Sequence, residues 1–306
     1  MTVSRPDAHA EIGPEKPPPS PECLVERLKT LLDVEELDRD LYRGMRRPGG
    51  RGRVFGGQVI AQALMAATRS TEVDQAAHSL HAYFMRPGDE AYPIIYRVVR
   101  DHDGRSFSTR RVIAMQRGIP ILNLAASFHS PETGFAHQAT MPDVPPPEAL
   151  IDEAEHMAQY RDQIPERIAD LVLHPRPIQI RRVEARSPLE AVKRPPLAHV
   201  WFRAAGPVGN DRAMHRAILA FASDMALLGT CMLPHGVSWM THDVLTASLD
   251  HALWLHEDVA VDDWLLYVTD SPWSGHARGF NRGQIFSRDG RLVASTAQEG
   301  LVRMRG

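Results

Sequence analysis

The two halves of this 306-residue sequence carry the same succession of local patterns, and this repetition limits the possible folds more than any other feature. In each half, apolar residues recur at helical spacing through one segment, residues 58–69 in the first half and 213–228 in the second. Each segment is followed by several strand-like runs, among them FSTRRVIAM and ILNLAASFH in the first half and GFNRGQIFS and LVASTAQEG in the second. One helix followed by antiparallel strands, present twice, indicates a duplicated α+β unit.

The last two strand-like runs of each half can be laid over one another. Gly118 in MQRGIP then falls on Gly290 in SRDGRL, an offset of 290 − 118 = 172 residues. Glycine at a hairpin turn supplies the positive φ angle that such turns need, so this match predicts two equivalent hairpins. The same offset pairs Arg110 with Arg282, Ile121 with Val293 and Ala125 with Ala297.

A helix covered by a sheet on several sides must be apolar over most of its surface. The second helical segment meets this condition except at Asp224, which lies within AILAFASDMALL. At about 100° per residue, Asp224 lies about 120° from Ile218 and therefore beside the apolar stripe. A carboxylate in that place loses part of its hydration, so it must be paired, hydrogen-bonded or used in chemistry. Taken alone, such a residue is more often a hydrogen-bonded structural carboxylate than a catalytic one.

Composition divides the chain into four parts. Residues 1–22 are rich in proline and charge, so we expect a mobile N-terminal tail. Residues 23–130 form the first α+β unit, and residues 131–175 form a linker that contains a triple proline and one helix. Proline neither continues a helix nor donates to a strand ladder, which supports the linker assignment. Residues 176–306 form the second unit, which contains Asp224.

Charge and cysteine content exclude several classes of partner and site. The formal net charge is −3, so the sequence shows no basic footprint for nucleic acid or an anionic membrane. Cys23 and Cys231 cannot form a disulfide framework, and their spacing fits no zinc site. The N-terminus lacks the apolar core of a signal peptide, and the most apolar stretch is interrupted by Asp224 and is too short to span a membrane. We therefore predict a cytoplasmic protein without nucleic-acid or membrane partners.

Motifs of other enzyme classes are incomplete. No G-x-S-x-G elbow for a serine nucleophile is present, and the glycine-rich RRPGGRGRVFGG lacks the G-K-[ST] ending of a phosphate-binding loop. His78 and His81, three residues apart on a strand, face opposite sides, which disfavours a metal pair. His251 and His256 lack a third ligand at a useful spacing. His78 remains an alternative general base.

Several segments together resemble the type II acyl-CoA thioesterases, the TesB-like double-hotdog enzymes. They include VFGGQVIAQAL, HSLHAYFMRPGD, DGRSFSTRRVIAMQRGIPILNLAASF, LDHALWLH and ARGFNRGQIFSRDGRLVASTAQEGL, with FASD on the second helix, and they extend in order from about residue 31 to residue 302. The resemblance implies an α+β protein of two tandem hotdog domains, each an antiparallel β-sheet wrapped around a central helix. It also implies hydrolysis of acyl-CoA to free fatty acid and CoA, with no metal or organic cofactor.

The resemblance further implies an active site in which an Asp, a Gln and a Thr or Ser hold the attacking water. Residue by residue, these roles fall on Asp224 in FASD, Gln298 in STAQEG and Ser248 in ASLDHALW. An ionised Asp224 accepts a proton from water, Gln298 offers a donor and an acceptor, and Ser248 fixes the geometry. Many relatives have Thr at this position, and its methyl group limits side-chain rotation. Ser248 lacks that methyl group. Thr246, on the same strand face, is an alternative hydroxyl.

Gly56 and Gly57, at the start of the first helix, are predicted to shape the acyl or CoA site, because the helix start lies near the thioester in hotdog folds. Backbone N–H groups near a helix N-terminus are expected to bind the oxyanion. Arginines of the glycine-rich loop are candidates for contacts with CoA phosphates, and four bulky residues are candidates for the acyl tunnel. These are Arg46, Arg47, Arg51 and Arg53, and Phe84, Met85, Trp254 and Trp273.

Two other functions fit the same fold. A hotdog enoyl-CoA hydratase or dehydratase would pair a His with an Asp or Glu, whereas here Asp224 is matched with Gln298. A non-catalytic acyl-CoA-binding protein would not need Asp224, Ser248 and Gln298 together. Acyl-CoA is therefore the expected partner. Pairing of chains through sheet edges is also expected, which predicts a homo-oligomer.

Overall fold

The computed structural model describes residues 19–305 except 48–49, 51, 73, 166–168, 170–172, 186 and 188. In the described part the α-helices are α1 (Pro21–Leu32), α2 (Gly56–Arg69), α3 (Glu153–Ala158) and α4 (Arg212–Ser223), and 3₁₀ turns cover Pro147–Ala149, Arg161–Gln163 and Leu228–His235. The strands are β1 (Val34–Asp38), β2 (Leu41–Gly44), β3 (Ala76–Phe84), β4 (Ile94–Asp103), β5 (Phe107–Gln116), β6 (Ile119–His129), β7 (Ile178–Arg182), β8 (Leu197–Ala204), β9 (Val244–Ser248), β10 (Asp250–Leu255), β11 (Leu265–Gly275), β12 (Arg278–Ser287) and β13 (Leu292–Met304).

These thirteen described strands form one antiparallel sheet. Their order is β1-β2-β4-β5-β6-β3-β10-β13-β12-β11-β8-β7, and β9 pairs with the end of β13. Two sets of five strands, β2-β4-β5-β6-β3 and β8-β11-β12-β13-β10, have the same relative order and meet where β3 pairs with β10. The repeated order is the one that a duplicated α+β unit predicts.

The sequence overlay of the two hairpins is correct for β6 and β13 but shifted by one residue for β5 and β12. Gly118 and Gly290 have φ angles of +78° and +87°, as the turn argument predicts. However, the side chain of Arg110 is 1% exposed, whereas that of Arg282 is 57% exposed. The buried counterpart of Arg110 is Asn281, because the second turn is one residue longer. The predicted equivalence of Arg110 with Arg282 is therefore wrong.

Helices α2 and α4 contact each other and pack against the same sheet. Residues 57–67 of α2 are all buried, and α2 contacts β3, β4, β5 and β6. Asp211 is the N-cap of helix α4, and its carboxylate accepts hydrogen bonds from the N–H groups of Ala213 and Met214; Asp224 is the C-cap. The start of α2 has no such side-chain cap. The apolar surfaces of both helices join one core with the inward faces of the strands.

The segment Arg212–His235, formed by α4 and the 3₁₀ turns after it, has the length and the mean hydropathy (1.6) of a membrane-spanning helix. It is longer than the apolar stretch identified in the sequence. However, 61% of its apolar window is buried within the protein, and α4 itself ends at Ser223. Its place in the core accounts for its apolar character.

The stretch after β6 lies across the outer face of the second half of the sheet. Met141, Val144 and Leu150 pack there on a second apolar cluster, and the indole N–H of Trp201 donates to the carbonyl of Pro145 at 2.9 Å. The cluster consists of Trp201, Trp264, Leu266 and Phe286. Part of the predicted linker therefore covers apolar sheet surface, which the sequence pattern did not predict.

Helix α1 begins within the N-terminal tail predicted at residues 1–22. Residues 1–18 of that tail lie outside the described residues. Pro21 is the first residue of α1, and the hydroxyl of Ser20 accepts a hydrogen bond from the N–H of Cys23 at 3.3 Å. A serine N-cap followed by proline is a typical helix start. The predicted domain boundaries otherwise stay predictions.

Candidate active site

Asp224 directly follows Ser223, the last residue of α4. Periodicity placed it within the helix, whereas the structure makes it the C-cap, with φ and ψ of −82° and −13°. Its side chain is buried, with 9% of the residue exposed. Oδ1 accepts hydrogen bonds from Nε2 of Gln298 at 2.6 Å and from Oγ of Ser248 at 3.2 Å. The structure thus brings together the three side chains that the family resemblance selected.

Pairing of β9 with β13 brings the two donors to the same side of the sheet. Ser248 lies directly opposite Gly300, and Gln298 precedes Gly300 by two residues, so the side chains of Ser248 and Gln298 share one face. Thr246, the alternative hydroxyl, instead accepts a hydrogen bond from the indole N–H of Trp239 at 3.0 Å. The hydroxyl that contacts the carboxylate is therefore that of Ser248.

The second carboxylate oxygen of Asp224, Oδ2, faces the start of α2. A Cβ atom on Gly56 would lie 2.8 Å from Oδ2 and 3.0 Å from Cζ of Phe84. A Cβ atom on Gly57 would lie 2.5 Å from the carbonyl oxygen of Phe221 in α4. Only glycine lets the helix start approach so closely. The first half of the chain thus contributes one wall of a site whose polar side chains come from the second half.

The first turn of α2 offers free backbone donors. Its N-cap is Phe55, which has no side-chain hydrogen bond to the helix. Within the described part of the chain, the N–H groups of Gly56 and Gly57 have no acceptor. The helix dipole adds partial positive charge at this end. A carbonyl oxygen that gains negative charge would be stabilised there, as in anion sites at helix N-termini.

Two buried polar side chains from the sheet, His251 and Tyr267, contact Ser223, the last residue of α4. His251 is fully buried with Nε2 2.9 Å from Oγ of Ser223, and burial lowers its pKa although the nearby Asp224 carboxylate acts to raise it. The hydroxyl of Tyr267 donates to the carbonyl of Ser223 at 3.0 Å, and burial raises the pKa of this phenol. Both rings are therefore neutral at pH 7. Sequence reasoning considered His251 only as a metal ligand; inward alternation along β10 was the signal that could have placed it here.

Asn281, a buried polar residue, lies opposite Gln298 on the neighbouring strand, and the sequence did not indicate it. Both Oε1 of Gln298 and Oδ1 of Asn281 are buried and have no hydrogen-bond partner among the described groups. The two residues are direct partners across the β12–β13 ladder. The corresponding partners in the first half are Arg110 and Ala126, and Arg110 donates to both the hydroxyl and the carbonyl of Ser70. The pair of carboxamides is therefore particular to the second half.

His78, the alternative general base, has a hydrogen-bond partner away from Asp224. Nε2 of His78 lies 2.9 Å from Oγ of Ser127, and burial lowers the pKa of His78. Its partner is thus a neighbouring strand residue rather than Asp224. Within the described ranges, no three His, Cys, Asp or Glu side chains are grouped as metal ligands.

The described arginines of the glycine-rich loop have protein partners or face solvent. Arg47 lies 3.6 Å from the carboxylate of Glu90, and the backbone of Arg53 bridges that of Asp89. Arg46 is exposed, and Arg51 lies outside the described residues. A role for the described arginines in CoA binding stays a prediction.

The four candidates for the acyl tunnel have different environments. Phe84 packs beside Gly56 and is therefore next to the carboxylate of Asp224. Met85 and Trp273 are each 42% exposed, and Trp254 packs edge-on against His81. Phe84 is thus the candidate that the structure places at the site.

Comparison with known proteins identifies the family. The family model for acyl-CoA thioesterase matches residues 173–301, and the model for the acyl-CoA thioesterase N-terminal domain matches residues 46–129. Acyl-coenzyme A thioesterase 8 of Homo sapiens is 41% identical over 285 residues, covering 90% of this chain and 88% of that protein. Acyl-CoA thioesterase 2 of Haemophilus influenzae is 38% identical over 280 residues, covering 92% of this chain and 98% of that protein.

A solved structure agrees with these sequence matches. The acyl-CoA thioesterase II TesB2 from Mycobacterium marinum superposes with a TM-score of 0.74 at 35% identity, over 92% of this chain and 98% of that one. The prediction of two tandem hotdog domains is confirmed. The chain accordingly belongs to the type II, TesB-like acyl-CoA thioesterases, which are thioester hydrolases of the double-hotdog fold.

Proposed function

We propose that this chain hydrolyses fatty acyl-CoA to free fatty acid and CoA, with Asp224 as the general base for water. The observation that carries the proposal is the difference between the two oxygens of the Asp224 carboxylate. Oδ1 accepts from Gln298 and Ser248, whereas Oδ2 accepts from no described protein group and faces Gly56. A water bound at Oδ2 would therefore meet a base held in a fixed orientation.

The start of α2 supplies the second requirement of the reaction. As the proton of the water passes to Oδ2, the water oxygen attacks the thioester carbonyl carbon, and the carbonyl oxygen takes the negative charge. The free N–H groups of Gly56 and Gly57 then donate to that oxygen. When the tetrahedral intermediate collapses, the C–S bond breaks and the proton on Asp224 passes to the departing thiolate. Water thus supplies a hydroxyl to the acid and a hydrogen to the sulfur of CoA.

Gln298 and Ser248 act by fixing the base. Both donate to Oδ1, so rotation of the carboxylate would break two hydrogen bonds to a charged acceptor. The second N–H of the Gln298 amide remains available to the water or the substrate. Phe84, packed against the start of α2, forms an apolar wall beside the reacting carbonyl.

The rival hydratase reaction would need a histidine that reaches the substrate. His251 is the histidine beside Asp224, but it is fully buried behind α4 and engaged with Ser223. This arrangement favours hydrolysis.

The test is a thiol-release assay over acyl-CoAs from short to long chain, run beside a hydration assay with crotonyl-CoA. We expect release of free CoA and no hydration. Hydration of crotonyl-CoA without thiol release would identify a hydratase, and tight acyl-CoA binding without either product would identify a binding protein. Both outcomes would contradict the proposal. A cytoplasmic location and self-association are proposed on the sequence arguments alone.

A further inference from the structure

We propose that Asn281 is a positioning residue for hydrolysis, whose amide N–H donates to Oε1 of Gln298. This bond would hold the far end of the Gln298 carboxamide while Nε2 contacts Asp224. The inference rests on the proposed function, because it assigns a partner to a residue that fixes the proposed base.

The register of the sheet places the two carboxamides within reach of each other. Asn281 and Gln298 are direct partners in the antiparallel β12–β13 ladder, and both are fully buried. Directly opposed residues in such a ladder have Cβ atoms about 4.5–5.5 Å apart on the same face. The carboxamide groups of Asn and Gln lie only one and two bonds beyond these Cβ atoms. Their amide groups are therefore close enough to form a hydrogen bond.

The hydrogen-bonding state of each amide defines which one must donate. Gln298 cannot turn its amide over, because that would place Oε1 against the Asp224 oxygen that Nε2 contacts at 2.6 Å. Its Oε1 is therefore a buried acceptor that needs a donor, and no described group supplies one. Asn281 is less constrained: its Nδ2 makes one long hydrogen bond, 3.5 Å to the carbonyl of Gly279, and its side chain also lies beside the thiol of Cys231.

A half turn about χ2 of Asn281 would supply the donor that Oε1 of Gln298 lacks. The turn exchanges Oδ1 and Nδ2 without changing the shape of the side chain. It gives up the long contact to Gly279, changes the contact with the Cys231 thiol, and moves a donor to the side on which Oδ1 now lacks a partner. The adjacent thiol of Cys231 does not introduce a charge, because burial raises its pKa.

The first half of the chain supports the link to catalysis. There the same pair of positions holds Arg110 and Ala126, so neither a glutamine nor a partner for one is present. The residue opposite the glutamine position is a small polar amide only in the half that carries Asp224.

The test is a double-mutant cycle on kcat and KM for thiol release from a fatty acyl-CoA. Asn281→Leu keeps the branched shape and the number of heavy atoms and removes the donor. In the otherwise unchanged protein we expect it to lower kcat about tenfold with KM unchanged, the effect of one buried hydrogen bond. In the Gln298→Ala background we expect less than about a twofold further loss, because the group that Asn281 holds is gone.

Thr269→Val is the matched control, since Thr269 is fully buried on β11 and its hydroxyl is hydrogen-bonded to that of Thr230, with 2.8 Å between the two Oγ1 atoms. It should lower the melting temperature and leave kcat unchanged. If Asn281→Leu does not fold, Asn281→Ser and Asn281→Ala replace it, and the serine variant, which keeps a donor, should be the more active. Equal losses from Asn281→Leu in both backgrounds, or no loss in either, would overturn the proposal.

A different result would identify failure of the underlying function. Wild-type activity in the Gln298→Ala variant alone would remove Gln298 from the active site, and the role of Asn281 with it. A large loss in Gln298→Ala together with an unaffected Asn281→Leu would leave the site intact and overturn only the role of Asn281.

Discussion

Ser248 makes the longer of the two hydrogen bonds to Oδ1 of Asp224, 3.2 Å against 2.6 Å from Gln298. We expect Ser248→Ala to lower kcat for thiol release by about tenfold, the effect of one hydrogen bond to a charged group. Ser248→Thr should keep or raise kcat, because the added methyl group limits rotation about χ1. Thr246→Ala, which removes the neighbouring hydroxyl, is the control and should be unchanged. Wild-type kcat in Ser248→Ala would exclude the hydroxyl from the site.

The two glycines at the start of α2 are expected to respond differently to alanine. In Gly57→Ala the new Cβ would lie 2.5 Å from the backbone carbonyl of Phe221, so α2 and α4 must separate. We expect the free energy of unfolding, measured in urea, to fall by about 1–3 kcal/mol. Gly134→Ala, where nothing lies within 4 Å of the new Cβ, is the control. A Gly57→Ala variant as stable as the wild type would contradict the close approach of the two helices.

Gly56→Ala should instead affect catalysis more than stability. Its new Cβ would lie 2.8 Å from Oδ2 of Asp224 and 3.0 Å from the Phe84 ring, and both neighbours are side chains that can move. The methyl group would occupy the space proposed for the attacking water, so we expect a loss of kcat of more than about tenfold. Steady-state kinetics and thermal unfolding of the same preparation separate the two effects. An unchanged kcat would move the water away from Oδ2.

At the level of single residues, the sequence predicted burial of Asp224 because a carboxylate interrupted an apolar stripe. It did not predict that α4 ends there, because the apolar pattern continues into the 3₁₀ turns that follow. Ser248 and Gln298 were selected by family resemblance, since neither lies in a pattern that indicates chemistry. Asn281 was missed because a turn longer by one residue shifted the overlay and matched Arg110 with the wrong strand face.

Among the connecting elements, the stretch across the second half of the sheet carries a stability prediction. Val144 packs on the cluster that contains Trp201 and Phe286. Val144→Asp would place a charge on this apolar surface, so we expect the free energy of unfolding to fall by about 1–3 kcal/mol with kcat unchanged. Asp143→Ala, at the exposed neighbouring position, should change neither quantity. Unchanged stability of Val144→Asp would mean that this stretch is not held on the sheet.

Helices and strands differ in how far the sequence predicted them. The two core helices and the hairpins β5–β6 and β12–β13 follow from apolar periodicity and turn glycines, which are local properties. The packing of residues 141–150 does not, because it depends on the apolar outer face formed by β8, β11 and β12. Nothing local to the proline-rich stretch indicates that such a face exists.

Three histidines with lowered pKa values couple the folding of the whole molecule to pH. Loss of hydration lowers the pKa of the fully buried His251, of the half-buried His78 and, although that residue is exposed, of His256. Below about pH 6.5 the unfolded chain binds these protons and the folded protein resists them. Stability is thus fully present above that pH and is lost as the pH falls through the lower folded-state pKa values. We expect a lower melting temperature at pH 5.5 than at pH 7.5.

A variant separates the contribution of one histidine to this pH dependence. His251→Gln should reduce the difference in melting temperature between the two pH values, because one of the three protons no longer binds on unfolding. His137→Gln, at an exposed position, should leave the difference unchanged. Equal melting temperatures of the wild type at both pH values would contradict the lowered pKa values of these histidines in the folded protein.

At the scale of the whole chain, duplication predicted the repeated strand order but not how the halves meet. The site depends on that meeting, since Gly56, Gly57 and Phe84 come from the first half and the carboxylate from the second. The α2–α4 contact and the β3–β10 pairing are long-range interactions, and the sequence of either half contains no local signal for them.

The central claim is that Asp224 takes the proton from the attacking water, and Asp224→Asn tests it most directly. This change keeps the shape of the side chain and removes the base. The measurement is kcat for thiol release from decanoyl-CoA, with Asp270→Asn, the exposed partner of Arg282, as the control. We predict a loss of at least about a hundredfold for Asp224→Asn, with a melting temperature close to that of the wild type and a control that is fully active. A folded Asp224→Asn variant that releases CoA at the wild-type rate would contradict the account.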